Sequence, residues 1–193
     1  MYNLIISIAY AYFAPTIIKT LKYSTIQTQL HSVPPVAVAL GLCLLLAYLS
    51  HATGLRYPFV AFSQAVLITG LAILSKVHHS FATQYAAICL TAMGAFSVGP
   101  IIICWYIMNL DGHAERSVGA AWAIGFGNCG AFIATFSFVA ADAPLYRNGY
   151  VICLGISCMG VVAAALYAAL IWRENKKARI GGPDVKGVRY YGI

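Results

Sequence analysis

Asn128 stands deep inside an uncharged stretch running from Ser117 to Ala141, and no other polar side chain says as much about possible chemistry. At 1.5 Å rise per residue in a helix, it sits roughly 15 Å from Ser117. An amide so far from water must find a partner, because an unpaired polar group in an apolar medium is costly. Two arrangements meet that need: a hydrogen bond to a neighbouring helix, or a wet cavity in which the amide binds a solute. Gln64, Thr69, Thr91, Ser97 and Ser137 are weaker candidates, the Ser and Thr residues because hydroxyls can bond back to their own helix. Ionisable groups are missing from the same stretches, His31 being the nearest. Hydrolytic chemistry needs paired carboxylates or a His-bound metal, and neither pattern is present. No Gly-rich phosphate loop beside a Lys occurs either. The six cysteines, Cys43, Cys89, Cys104, Cys129, Cys153 and Cys158, form no CxxC and read as small apolar core residues. No catalytic residue, metal site or cofactor is predicted.

The elements that must position these residues follow from composition. The 193 residues include only 12 Lys plus Arg and 5 Asp plus Glu, while 61% are hydrophobic. A soluble domain has roughly 25% charged residues, so there is too little charge here to cover a water-facing surface. The charges leave long uncharged runs, each long enough for a helix of about 20 residues to cross a hydrocarbon core of roughly 30 Å. A soluble enzyme, a nucleic-acid binder and a secreted disulfide scaffold are excluded; the lipid bilayer is the expected partner. The predicted helices are 1–18, interrupted at Pro15; 26–50, bent at Pro34-Pro35; 57–75; 85–108; 118–140; and 150–172. They form one bundle over 1–173, followed by a basic tail over 174–193. Arg173, Lys176, Lys177, Arg179, Lys186 and Arg189 supply half of all basic groups, which assigns the tail to the cytoplasm. The loops alone would oppose that orientation, with Arg56 and Arg116 inside against Lys19, Lys22, Lys76 and Arg147 outside.

Within lipid, helices associate through small residues that let backbones approach. Gly119, Ala123, Gly127 and Ala131 recur at four-residue spacing as one ridge, with Trp122, Phe126, Phe132 and Phe136 on other faces. The ridge suits a static bundle or sliding helices equally. Gly94 and Gly99-Pro100 interrupt the fourth span, where proline removes a helical hydrogen bond; a fixed bend and a gate are the alternatives.

From Trp105 to Tyr150 the chain reads WYIMNLDGHAERSVGAAWAIGFGNCGAFIATFSFVAADAPLYRNGY. Trp105, Asn109, Gly112-His113, Arg116, Gly119, Ala121, Gly127-Asn128, Gly130 and the Asp142-Ala143-Pro144-x-Tyr146-x-x-Gly149 signature resemble the fungal anion:cation symporter branch of the major facilitator superfamily, the allantoate and nicotinate permease group. Phe13-x-Pro15, Gln29-Leu30 with Pro34-Pro35, the Ser50–Arg56 loop and Arg189-Tyr190 agree with it. The resemblance implies an all-α membrane protein: a six-transmembrane-helix bundle equivalent to the C-terminal half of an MFS transporter, starting partway into helix seven. It further implies a carrier of small organic anions such as nicotinate, pantothenate or allantoate, placed in the plasma membrane and completed by a second six-helix bundle or by a copy of itself. Proton coupling would then depend partly on the other half. Asn128, Trp105 and Tyr10 are the expected substrate contacts; Arg56, Asp111, Arg116, Gly99 and Pro100 are the expected gating positions. His51 stands where the family's loop usually has Asp, and Glu115 where it usually has a basic residue. The alternative is a truncated, non-transporting fragment or an assembly protein.

Overall fold

The computed structural model describes residues 25–76, 81–110, 112–137 and 147–180. The predicted first span with Tyr10, the loop residue Asp111 and the tail beyond 180 lie outside the described residues. Five helices are described: α1 (Thr25–Thr53), α2 (Tyr57–Lys76), α3 (Phe81–Met108), α4 (His113–Ser137) and α5 (Arg147–Ile180). Four of them contain stretches long and apolar enough to cross a membrane: Gln29–Thr53, Tyr57–Lys76, Ala82–Met108 and Gly149–Lys176.

Local sequence accounts for the ends. Gly54 closes α1 at φ 69° and Gly112 precedes α4 at φ 76°, a left-handed backbone that glycine adopts without a Cβ clash. Glu115 lies in the first turn of α4, where a negative charge complements the helix dipole. α1 runs through Pro34 and Pro35, and α3 through Pro100; membrane helices tolerate such residues because neighbouring groups re-satisfy the freed carbonyls. Several helices begin before their expected starts, as at Phe81 and His113, and the last helix departs most. The last helix does not stop at Trp172 but continues to Ile180, beyond the predicted start of the tail at 174. Arg, Glu and Lys are good helix formers, and basic groups near a helix C-terminus meet a favourable dipole, so the helix extends past its apolar part.

α3 is the central helix: 56% of its apolar window is buried, against 17% in α1 and 22% in α5. It packs on α1 and α2, while α2 also packs on α5. The α2–α3 seam is close because of two glycines. A Cβ on Gly70 would lie 2.7 Å from the Thr91 backbone N, and one on Gly94 would lie 2.6 Å from the Leu67 backbone N. Apolar side chains gather in two clusters along this seam. One joins Leu67, Leu71 and Leu74 of α2 to Ala87, Ile88 and Ala92 of α3, with Tyr150 and Cys153 of α5. The other joins Val60, Val98, Ile101 and Trp105 to Leu46 of α1 and Ala168 and Ile171 of α5.

The outer surface is apolar. Leu30, Leu40, Leu44 and Tyr48 of α1 and Val162, Leu166 and Leu170 of α5 are exposed. A water-soluble monomer rarely shows apolar patches of this extent, whereas lipid solvates them at no cost.

Candidate functional site

The turns after α1 and after α3 lie at the same end of the bundle. In the first, the Thr53 hydroxyl donates to the Leu49 carbonyl at 2.8 Å, Leu55 N–H donates to Thr53 Oγ1 at 3.4 Å, and Ser50 Oγ donates to the Leu55 carbonyl at 3.3 Å. Arg56 then opens α2, its carbonyl accepting from Val60 N–H at 3.1 Å. These bonds order the turn that carries Arg56. Arg56, His51 and Ser50 share a half-open cavity of about 320 Å³ with Pro100, Ile101, Cys104, Ile107 and Met108. Its walls are mostly apolar and its polar side chains include a guanidinium, an imidazole and a hydroxyl, a lining suited to a small anion with an apolar body. Among the described residues no three His, Cys, Asp or Glu side chains converge as a metal site would require.

Of the expected gating positions, Arg56 and Pro100 are therefore brought together. Gly99 is buried beside them in α3. Arg116 is engaged differently: its Nε donates to the Leu110 carbonyl at 3.0 Å, and its own N–H donates to the Gly112 carbonyl at 3.2 Å. It fastens the α3–α4 turn. Asp111, in the same turn, lies outside the described residues.

Trp105 takes a place the sequence reading did not give it. It is only 2% exposed, with its ring edge-on to Tyr167 at 4.8 Å and tilted against Tyr57 at 6.3 Å. Asn109 Nδ2 donates to Tyr167 Oη at 3.2 Å on the same side. Trp105 thus anchors α3 to α2 and α5, and in this conformation it presents no surface to a solute. An indole this large is most stabilising when its apolar area is covered on several sides, and three helices cover it.

Asn128 lies on the surface of α4. The small-residue ridge explains why: Gly119 and Gly127 are buried, and a Cβ on Gly119 would meet Leu110 and Tyr106. The remaining faces of α4 point away from the described bundle. Val118, Trp122, Ile124 and Phe126 are exposed, and Trp122 stacks on Phe126 with centroids 4.3 Å apart. Ala121 and Gly125, one or two turns before Asn128, are exposed with it. The amide belongs to an uncovered strip of small and aromatic residues. Of the two partners weighed for it, a neighbouring described helix does not supply one. Nothing in the sequence marks Cys104, Met108 or Tyr167, because their roles come from packing across helices far apart in the chain.

Several long apolar helices with an apolar exterior define a multi-pass integral membrane protein. Known proteins narrow the class. The chain is 28% identical over 180 residues to the MFS-type transporter cnsO of Penicillium expansum, covering 91% of this chain and 34% of that protein. It is 30% identical over 183 residues to the MFS transporter prlL of a fungal species, covering 93% of this chain and 37% of that protein. It is 25% identical over 169 residues to the high-affinity nicotinic acid transporter of Saccharomyces cerevisiae, covering 86% of this chain and 31% of that protein. The chain is therefore similar to fungal major-facilitator-type transporters, and it spans about a third of the length of the curated relatives it matches. No protein-family model and no solved structure matches it.

Proposed function

We propose that this chain is the C-terminal six-helix half of a secondary carrier of the fungal anion:cation symporter group, moving small organic anions such as nicotinate across the plasma membrane. One observation carries the reading. The amide of Asn128 stands exposed on α4 within the uncharged run from Ser117 to Ala141, and lipid cannot satisfy an amide. A surface of that kind suits a wet cavity shared with a second bundle, as alternating access between two bundles requires. The nicotinic acid transporter among the relatives supports the substrate class. The charge distribution supports a cytoplasmic basic end: Arg56, Arg116, Arg173 and Lys176 gather where α1, α3 and α5 end. Asn128 then offers a hydrogen bond to the substrate, while Arg56 and Pro100 belong to the gate at the basic end. Tyr10 and Asp111 complete the proposed set as substrate contact and gate residue.

The test is uptake of radiolabelled nicotinate, pantothenate and allantoate by fungal cells lacking their own uptake systems. The chain is expressed alone, and also fused behind the first half of a related carrier. Accumulation by the fusion, reduced at least tenfold by Asn128→Leu at equal membrane abundance, is the expected result. No accumulation of any of the three by the fusion overturns the substrate class. Because the chain spans only a third of its relatives, a second reading is kept: a fragment that transports nothing by itself. Accumulation by the short chain alone would refute it.

A further inference from the structure

Helices α2 and α3 run antiparallel, with Gly70 against Thr91 and Leu67 against Gly94. One turn further along each helix, this register sets Gln64 opposite Ser97. Beyond them Val60, Val98 and Ile101 meet in the second apolar cluster. Gln64 and Ser97 thus lie at the junction of the two clusters, both 0% exposed. Neither polar atom of the Gln64 side chain has a hydrogen-bond partner, and neither does Ser97 Oγ. Ser97 is unusual in this. The hydroxyls of Ser63, Thr69, Thr91 and Ser157 each donate to the carbonyl four residues earlier, at 2.9, 2.8, 2.8 and 2.7 Å.

We propose that Gln64 and Ser97 form a binding site for one internal water molecule that bridges α2 and α3. The occupant has to be neutral. α3 carries no Asp, Glu, Lys, Arg or His, and Lys76 at the far end of α2 is the only such residue there, so a buried ion would lack a counter-charge. It has to be small, because the neighbouring turn brings Leu67 too close to Gly94 for even an added methyl group. It has to donate and accept. The carboxamide offers two N–H groups and a carbonyl, and the hydroxyl offers one donor and acceptor lone pairs. Water matches that set, and a bridging water joins polar groups that do not bond directly. The inference is independent of the transport reading.

The full chain, purified in detergent, provides the test. A structure at a resolution that shows ordered solvent should contain a peak 2.7–3.2 Å from both Ser97 Oγ and a Gln64 side-chain atom. Gln64→Leu and Ser97→Ala should each lower the thermal midpoint by roughly 2–5 °C. The double variant should lose less than the sum, because both residues hold the same molecule. Ser97→Ala removes a single oxygen, so it folds even if the leucine variant does not. A midpoint that rises in Ser97→Ala, additive losses, or a side chain from another segment filling the site would each overturn the proposal.

Discussion

Gly94→Ala tests the packing of the bundle with a single methyl group. The added Cβ would lie 2.6 Å from Leu67 Cβ, 2.6 Å from its backbone N and 2.7 Å from its Cα. Two of these atoms are backbone, so relief requires α2 and α3 to separate and cannot come from a rotamer change. Overpacking of a well-filled site costs about 1–3 kcal/mol, and a contact with backbone belongs near the upper end. Against this, alanine is a better helix former than glycine by about 1 kcal/mol. The net loss is about 2 kcal/mol, a fall of roughly 4–8 °C in the thermal midpoint for a chain of this size. Gly155→Ala in α5 is the control, since nothing lies within 4 Å of its added Cβ. It gains the propensity without the clash, and its midpoint should rise by about 2–4 °C. Thermal unfolding of both variants in the same detergent measures the difference. A Gly94→Ala midpoint equal to or above that of Gly155→Ala would refute the close α2–α3 seam.

Other perturbations separate structural residues from those proposed for transport. Trp105→Ala should cost about 3–5 kcal/mol, seen as an unfolding midpoint far below wild type, because it empties a site covered by three helices. Tyr167→Phe should keep the ring contact with Trp105 but lose the bond from Asn109, lowering stability by only about 0.5–1.5 kcal/mol in the same assay. Gly112→Ala should destabilise the α3–α4 turn by about 1 kcal/mol, since its φ of 76° disfavours a Cβ; proteolysis of this turn should quicken accordingly. Arg56→Gln should reduce nicotinate uptake by the fused carrier while leaving the unfolding midpoint within about 0.5 kcal/mol of wild type, as expected of a partly exposed side chain.

Helical, membrane-embedded character is legible in the sequence because hydrocarbon imposes a length and a composition that few other environments share. Facing is harder to read. A soluble helix reveals its buried side by polarity, but α1 and α2 are apolar nearly all round, so Leu67 and Leu40 look alike in the chain although one is buried and the other exposed. Only the size of side chains signals the inner face, and in α4 it does: Gly119 and Gly127 point inward while Trp122 and Phe126 point outward. The substrate expectation for Trp105 rested on a pattern shared with relatives, and such a pattern does not distinguish a ligand surface from a packing anchor. Gln64 shows the same limit from the other side. An amide near the middle of an apolar run looks unremarkable until the α2–α3 register sets it opposite Ser97. The extension of α5 to Ile180 was hidden because charged residues marked the end of the hydrocarbon and not the end of the helix.

Lipid is the solvent of the outer surface formed by α1 and α5. Alkaline carbonate extraction of membranes from cells expressing the chain tests this directly, because it strips peripheral and soluble proteins and leaves spanning ones in place. The full amount of chain should sediment with the membranes at pH 11 and be released only by detergent. Recovery of a folded monomer in the carbonate supernatant would contradict it.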